Sequence, residues 1–377
     1  MEMDCTGRSQ AVEGGSGRFR ANVSAVCGYR LVEMTLPTGD DVLDEAYQRL
    51  FAYGPEFEGY LSNHGPMVVE VLERRGRPEA THGWLDGYTA RLEPAPSPRW
   101  AIARDEWREP LGDPMRVGDW LDFFEAEVRD RPWREVLLEW WPRLMPGAVG
   151  CATHGLIRTG HALRSLEAKE TEWRVRELGA ALGYWAARFH SLPATREPEG
   201  ELDPADTLAQ VPRIEDPQGD AATRVSQLTT APSWHDALAG LRPPADRQQV
   251  PAELDALAAA AVSQYLDHGR EEPVMLVHAA TAPAAAAAAL PSLPVDLWGL
   301  TWQEAWRASA AITACYAGAT PGERTFLPPL AAEEILSRAI ENGDEHLIKF
   351  TDVALLAHQQ GCVEALPAAS HAISFFE

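Results

Sequence analysis

From Thr35 onward, apolar residues return every three to four positions in nearly every segment, and alternation with a period of two is almost absent. Such a period puts one apolar stripe on each segment, so the chain must bury helices against helices. "DDVLDEAYQRLFAYG" sets Val42, Leu43, Ala46, Tyr47 and Leu50 on one stripe, with acidic residues at its start and a glycine at its end. "GPMVVEVLERRG" has proline in its first turn and glycine just past its last. The same spacing runs through "GDWLDFFEAEVRD", "PWREVLLEWWPRLMPG", "GCATHGLIRTGHALRSLEAKE", "TEWRVRELGAALGYWAARFHSLP" and the segments from "AELDALAAAAVSQYLDHG" onward. Near the end, Asn342-Gly343 predicts a helix stop and Asp344 the N-cap of the next helix. "PVMLVH" fits either a short strand or a helix start. No repeat of fixed period is evident. The expected fold is all-α, a single compact multi-helix domain with long loops.

Residues 1–33 are Gly/Ser-rich and lack periodicity, which reads as a disordered N-terminal extension, with Met34 as an alternative start. The helical domain then spans 34–377. Residues 193–232, rich in Pro, Asp, Glu and Gln, read as a long surface connection, compatible with two helical halves joined there. The most apolar stretch, "TAPAAAAAALPSLP", is mostly alanine broken by prolines, and no run approaches the roughly 20 residues of a membrane span. The 377 residues carry 56 acidic against 33 basic side chains, a net charge of −23. That balance argues against nucleic acid or an anionic membrane as partner. Cys5, Cys27, Cys151, Cys315 and Cys362 form no close pair, which fits a reducing cytoplasm better than a disulfide framework.

The usual scaffolds for redox and hydrolysis are missing from the sequence. There is no G-x-G-x-x-G between a strand and a helix, no Walker loop and no G-x-S-x-G elbow. Chemistry therefore falls to the histidines and one lysine. His154 and His161 stand seven apart in "THGLIRTGHAL", two helical turns and about 10.5 Å along the axis. Both rings would lean toward one metal, with Gly155 and Gly160 leaving room for an ion or substrate; the competing reading is two hydrogen-bonded interior histidines. His346 and Lys349 lie three apart in "DEHLIKFTD", on one helix face among Leu347, Ile348 and Phe350. Only two of the basic residues are lysines, Lys169 and Lys349. A buried amine loses its proton more easily and takes up CO2 to give an anionic oxygen ligand, which arginine cannot do. The competing reading is a lysine that snorkels toward Asp344 or Asp352. His278 sits in the apolar "VMLVHAATAP", with Thr281 one turn on, and His64 in "NHGPM" stands just before a helix N-terminus. Histidine-rich sites suit iron, zinc, copper or nickel.

In order along the chain, "NHGPM", "HGLIRTGHALRSL", "VMLVHAATAP", "AWRASAAITACYA" and "DEHLIKFTD" resemble the questin oxidase-like family over roughly residues 40 to 360. The resemblance implies oxygen-dependent ring opening of anthraquinone-like aromatic polyketides, often described as Baeyer–Villiger oxidation. It also implies a non-haem Fe(II) held by His154, His161, His278, His346 and Lys349 as its CO2-derived carbamate, with O2 as co-substrate. His64 and Thr281 would then sit behind the carbamate and hold it; His64 as a ligand in place of His278 is the alternative. The alanine run would line the substrate pocket, and Trp84, Trp140, Trp141, Trp302 and Trp306 are aromatics able to stack on a flat polycycle, although packing explains most of them. An external reductant such as NADPH, as in a flavin-independent Baeyer–Villiger monooxygenase, and the oligomeric state, a homodimer included, stay open. Two other classes compete: an all-α metal-dependent hydrolase, for which the chain offers only His235-Asp236, and a non-catalytic polyketide-binding protein.

Overall fold

The backbone that organises the molecule is the alanine-rich helix His278–Ala289. In the computed structural model, which describes residues 42–193, 195–318, 320–322 and 330–376, both faces of this helix are buried. Ala279, Ala280 and Ala286 join one large apolar cluster with the helices Val250–His268, Trp298–Tyr316 and Glu345–Gln359. Ala282, Ala285 and Ala289 join a second cluster built on the helices Val117–Asp130, Trp133–Leu144, His154–Ala168 and Glu172–Ala187. Alanine is what makes this position tenable, because a helix with neighbours on every side has no room for long side chains. The alanine run is therefore core, rather than the lining of a substrate pocket.

Helix His154–Ala168 approaches it backbone to backbone. A Cβ on Gly160 would lie 2.6 Å from the carbonyl oxygen of Ala285, and one on Gly155 would lie 2.6 Å from the indole of Trp185. The space beside both glycines is thus already filled, by a helix and by a tryptophan, and is not left for an ion or a substrate. The indoles singled out above behave alike: Trp140, Trp141, Trp302 and Trp306 are buried, and Trp84 stacks on Tyr88 while donating to Gly343 O.

Helices account for nearly all regular structure among the described residues, and these residues form one compact unit. The strands among the described residues are a two-residue hairpin, Glu56–Phe57 antiparallel to Leu61–Ser62 with Glu56 opposite Ser62. Pro66 lies in the first turn of helix Gly65–Arg74, and Gly343 (φ 82°) ends Ala332–Asn342. Asp344 caps Glu345–Gln359 by accepting from the backbone N–H groups of His346 and Leu347. "PVMLVH" is helical: Pro273–Leu276 leads directly into the His278 helix. The segment 193–232 differs from the expected surface connection. It carries short helices at Pro204–Gln210 and Ala221–Ser226, and Leu208, Val211, Val225 and Leu228 are buried in the larger cluster. Its polar composition hid four apolar anchors.

The run Pro273–Ser292 is 20 residues long and apolar enough to cross a membrane by length and composition, but two-thirds of it is buried inside the fold. The expected extension at residues 1–33 and the alternative start at Met34 lie outside the described residues.

The helix contact sets a clear stability contrast. Gly160→Ala should destabilise the fold by about 1–3 kcal/mol, because the Ala285 backbone must move. Gly87→Ala, in an exposed helical turn with nothing near the added carbon, should be neutral or stabilising by about 0.5–1 kcal/mol. Urea unfolding of the two variants checks the pair.

Candidate metal centre

Four histidines and one lysine meet where four helices converge. His64 is the N-cap residue of Gly65–Arg74, with its backbone N–H donating to Tyr88 Oη at 2.6 Å. His154 and His278 are the first residues of their helices, and His346 with Lys349 lies in the first turns of Glu345–Gln359. Placing all of these at helix starts lets the rings converge from different directions without crossing a helix body.

His154 is aimed by an unusual turn. Cys151, Ala152 and Thr153 take positive φ values of 47°, 50° and 70° in succession. Left-handed residues cost roughly 1–2 kcal/mol each outside glycine. The turn brings the Cys151 carbonyl to 2.6 Å from His154 Nδ1, which donates to it. Tyr184 Oη ties the turn down, lying 2.9 Å from Cys151 Sγ and 2.6 Å from Ser62 Oγ. His278 is held in the same way, its Nδ1 donating to Met275 O at 2.9 Å.

These two hydrogen bonds fix the tautomers. With a proton on each Nδ1, both neutral rings present a bare lone pair at Nε2, and those two nitrogens are 3.0 Å apart. Facing lone pairs repel unless a proton or a cation stands between them. Burial and the neighbouring positive groups hold His154 and His278 well below the usual histidine pKa, so a shared proton is disfavoured. A metal ion removes the conflict. Two nitrogens each about 2.1 Å from one ion, at right angles to each other, lie about 3 Å apart. His64 Nε2 is 2.7 Å from His154 Nε2, and donor nitrogens of His64, His154 and His346 all fall within 4.8 Å of one another.

Lys349 is 1 % exposed, and its Nζ has no hydrogen-bond partner among the described residues. Burial pushes its pKa down to about 8. The snorkelling alternative is not met, since Asp352 is taken by Arg74 and Arg75, and Asp344 caps the helix. Glu345 was not singled out by the sequence. Its carboxylate receives Arg91 Nη2 at 2.6 Å and stands 3.4 Å from His64 Nδ1, where it favours a proton on that nitrogen and a lone pair at Nε2. An acidic residue directly before His346 was the available signal.

His161 is not with the others. Its Nδ1 is 2.7 Å from Glu70 Oε2, and Arg164 grips the same carboxylate through Nε at 2.7 Å and Nη2 at 2.5 Å. The expectation that His154 and His161 share an ion finds no contact between the two rings among the described residues, and Glu70 holds His161 through Nδ1. His161 instead belongs to a buried ionic knot. Asp352 accepts from Arg74 and from Arg75 Nε, the latter at 2.6 Å, and faces Arg164 Nη2 at 3.7 Å. Each of three ligand-bearing helices sends residues into this knot. Thr281 is buried one turn after His278, its hydroxyl donating back to Val277 O at 3.2 Å. The pair a hydrolase would need is at the surface, where the largely exposed Asp236 faces Arg196.

The family model described as Questin oxidase-like matches residues 79–178, about a quarter of the chain, including the His154 helix. No curated protein matches. Over that stretch the match meets the resemblance read from the motifs.

All five of these histidines have depressed pKa values in the folded state, with burial the largest cause. Below about pH 6.5 the unfolded chain binds protons that the folded one refuses, so stability falls as pH drops. Urea unfolding of metal-free protein should show a loss of stability as pH falls from 7 to 5, and the lowered Lys349 pKa should add stability as pH rises above about 8. His154→Leu should reduce the proton uptake on unfolding at pH 5.5 by about one. Glu70 and Asp352 are also held low, by their arginines against the opposing effect of burial, so their contribution is intact above about pH 4 and lost only below it.

Proposed function

We propose that the chain is a non-haem iron-dependent oxygenase that opens a ring of an anthraquinone- or anthrone-like aromatic polyketide with O2. The observation that carries this reading is the meeting of His154 and His278 Nε2 lone pairs at 3.0 Å beside a buried amine that lacks a partner. In this reading the ion is held by His64, His154, His278 and His346, with Lys349 as its carbamate. His161 is reassigned to the ionic knot, and His64 moves from a supporting role into the ligand set.

The donor set suits the group. Imidazoles favour iron, zinc, copper or nickel, and an anionic oxygen donor offsets part of the ion's charge inside a dry site. A bound Fe(II) would supply the one-electron chemistry with O2 that side chains lack. The chain's own residues do the rest. The carbonyls of Cys151 and Met275 hold two rings in the tautomer that leaves Nε2 free, and the Glu345 carboxylate stands 3.4 Å from His64 Nδ1, where its charge favours the same tautomer. Lys349 would become a ligand when its ammonium loses one proton, the neutral nitrogen bonds to CO2 carbon and then gives up a second proton, leaving the negative charge on the carbamate oxygens. Burial favours that neutral amine. The sequence neighbours Leu347, Ile348 and Phe350 are fully buried in the larger apolar cluster. The polyketide substrate class rests on the family match and not on a pocket, since the two cavities described are lined by other residues.

Metal content separates the readings. Wild-type protein reconstituted without oxygen should bind about one iron per chain, and so should His161→Gln. Lys349→Arg and His154→Ala should each lose more than tenfold in iron affinity. Full iron occupancy in Lys349→Arg sinks the carbamate ligand, and absence of stoichiometric metal in the wild type favours a polyketide-binding protein. Oxygen uptake with a panel of anthraquinols then tests the reaction, and inertness across the panel rejects it.

A further inference from the structure

Tyr184 is a buried phenol outside the candidate ligand set, yet the turns that aim His64 and His154 both bond to it. It lies near the end of helix Glu172–Ala187 and is 1 % exposed. Its hydroxyl is 2.6 Å from Ser62 Oγ and 2.9 Å from Cys151 Sγ. The two partners are themselves 3.6 Å apart, a much weaker link than the two made through the phenol. Ser62 stands just ahead of Asn63 and His64, and Cys151 opens the turn that ends at His154. A phenol O–H donates to one partner while accepting from the other, so one oxygen serves both. Burial keeps the phenol and the Cys151 thiol protonated.

Neither path from the phenol to a ring has slack. Asn63 donates its backbone N–H to Pro55 O at 2.8 Å and its side-chain amide to Gly54 O at 2.9 Å. Its Oδ1 accepts from Gly65 N at 3.0 Å, on the other side of His64. On the second path, the left-handed turn brings the Cys151 carbonyl to His154 N at 3.2 Å and to His154 Nδ1 at 2.6 Å. A shift of Ser62 or Cys151 is therefore passed to a ring rather than absorbed by a loop.

The same helix end meets both turns again. Arg188 pairs with Glu56, which lies opposite Ser62 in the hairpin. A Cβ on Gly150 would strike the carbonyl oxygen of Arg188, so the Cys151 turn packs directly on that backbone. The rings held in this way stack, with centroids 4.6 Å apart and planes 9° from parallel, and their Nε2 atoms are 2.7 Å apart.

We propose that Tyr184 is a positioning residue for the metal centre: its hydroxyl locks the turns of His64 and His154 together and so sets the spacing of their Nε2 atoms. The ion itself rests on the metal reading, whereas the placing of the rings belongs to the metal-free chain.

Tyr184→Phe deletes the hydroxyl and keeps the ring. Iron affinity of the folded variant, reconstituted without oxygen, should fall at least about tenfold, the size expected when a group behind a ligand is removed. In metal-free protein, long-range proton–nitrogen NMR spectra should show the His154 ring passing from one tautomer, protonated at Nδ1, to a mixture. Thr301→Val is the control for a merely structural loss. The Thr301 hydroxyl is also buried and serves two partners, accepting from Trp141 Nε1 at 2.9 Å and donating to Leu297 O at 2.8 Å, neither of them a candidate ligand. That variant should lose stability to urea while keeping wild-type iron affinity and a single His154 tautomer. Should Tyr184→Phe fail to fold, Ser62→Ala, which removes one of the two partners, is read by the same measures. Wild-type iron affinity in Tyr184→Phe overturns the proposal, and so does an equal loss of affinity in Thr301→Val. If the wild type binds no iron, the metal reading fails and the His154 tautomer alone decides: unchanged in Tyr184→Phe, it overturns the positioning role as well.

Discussion

The contact on which the rest depends is the backbone approach of two helices at Gly160 and Ala285. Both helices begin with a histidine, and the distance between those rings is set by how closely the helix bodies pack. A single side chain between them would separate His154 Nε2 from His278 Nε2 beyond the reach of one ion. The alanine run, which looks featureless as sequence, is therefore a packing device. It lets one helix sit between two apolar clusters and deliver its first residue to a point that three other helices also reach.

Bringing five basic groups together in a dry interior is unfavourable, and the structure offsets this in two places. On the near side, the carbonyls of Cys151 and Met275 accept from ring nitrogens and fix their protons, and the carboxylate of Glu345 lies beside His64 Nδ1. The left-handed turn at Cys151–Thr153 is the backbone strain this requires. On the far side, Glu70 and Asp352 bind His161, Arg74, Arg75 and Arg164 into a knot that ties together helices carrying His64, His154 and Lys349. Lys349 Nζ has no hydrogen-bond partner among the described residues, and the proposed carbamate would give that nitrogen a role.

Much of the fold was legible because helical periodicity is a local property. The stripe Val42–Leu50, the proline in the first turn of Gly65–Arg74, the stop at Gly343 and the cap at Asp344 are each decided by a few neighbouring residues. The segment 193–232 was misread because its buried Leu208, Val211, Val225 and Leu228 are sparse among polar residues, and burial there depends on distant partners. Within the site, residue types were legible and membership was not. His154 and His161 share a helix face by arithmetic, yet the Glu70 that engages His161 comes from a helix 91 residues away in the chain.

By itself, then, the sequence determined an all-helical chain, the helix ends that carry the histidines, and a lysine at position 349 among apolar neighbours. Tertiary structure decided which histidines meet, bringing His64 beside His154 and His161 beside Glu70. It also turned Gly155 and Gly160 from open space into contact points. The reason is physical: periodicity and capping act within a few residues, whereas a donor set is fixed by distances between helix axes, and those follow from side-chain volume across the whole core.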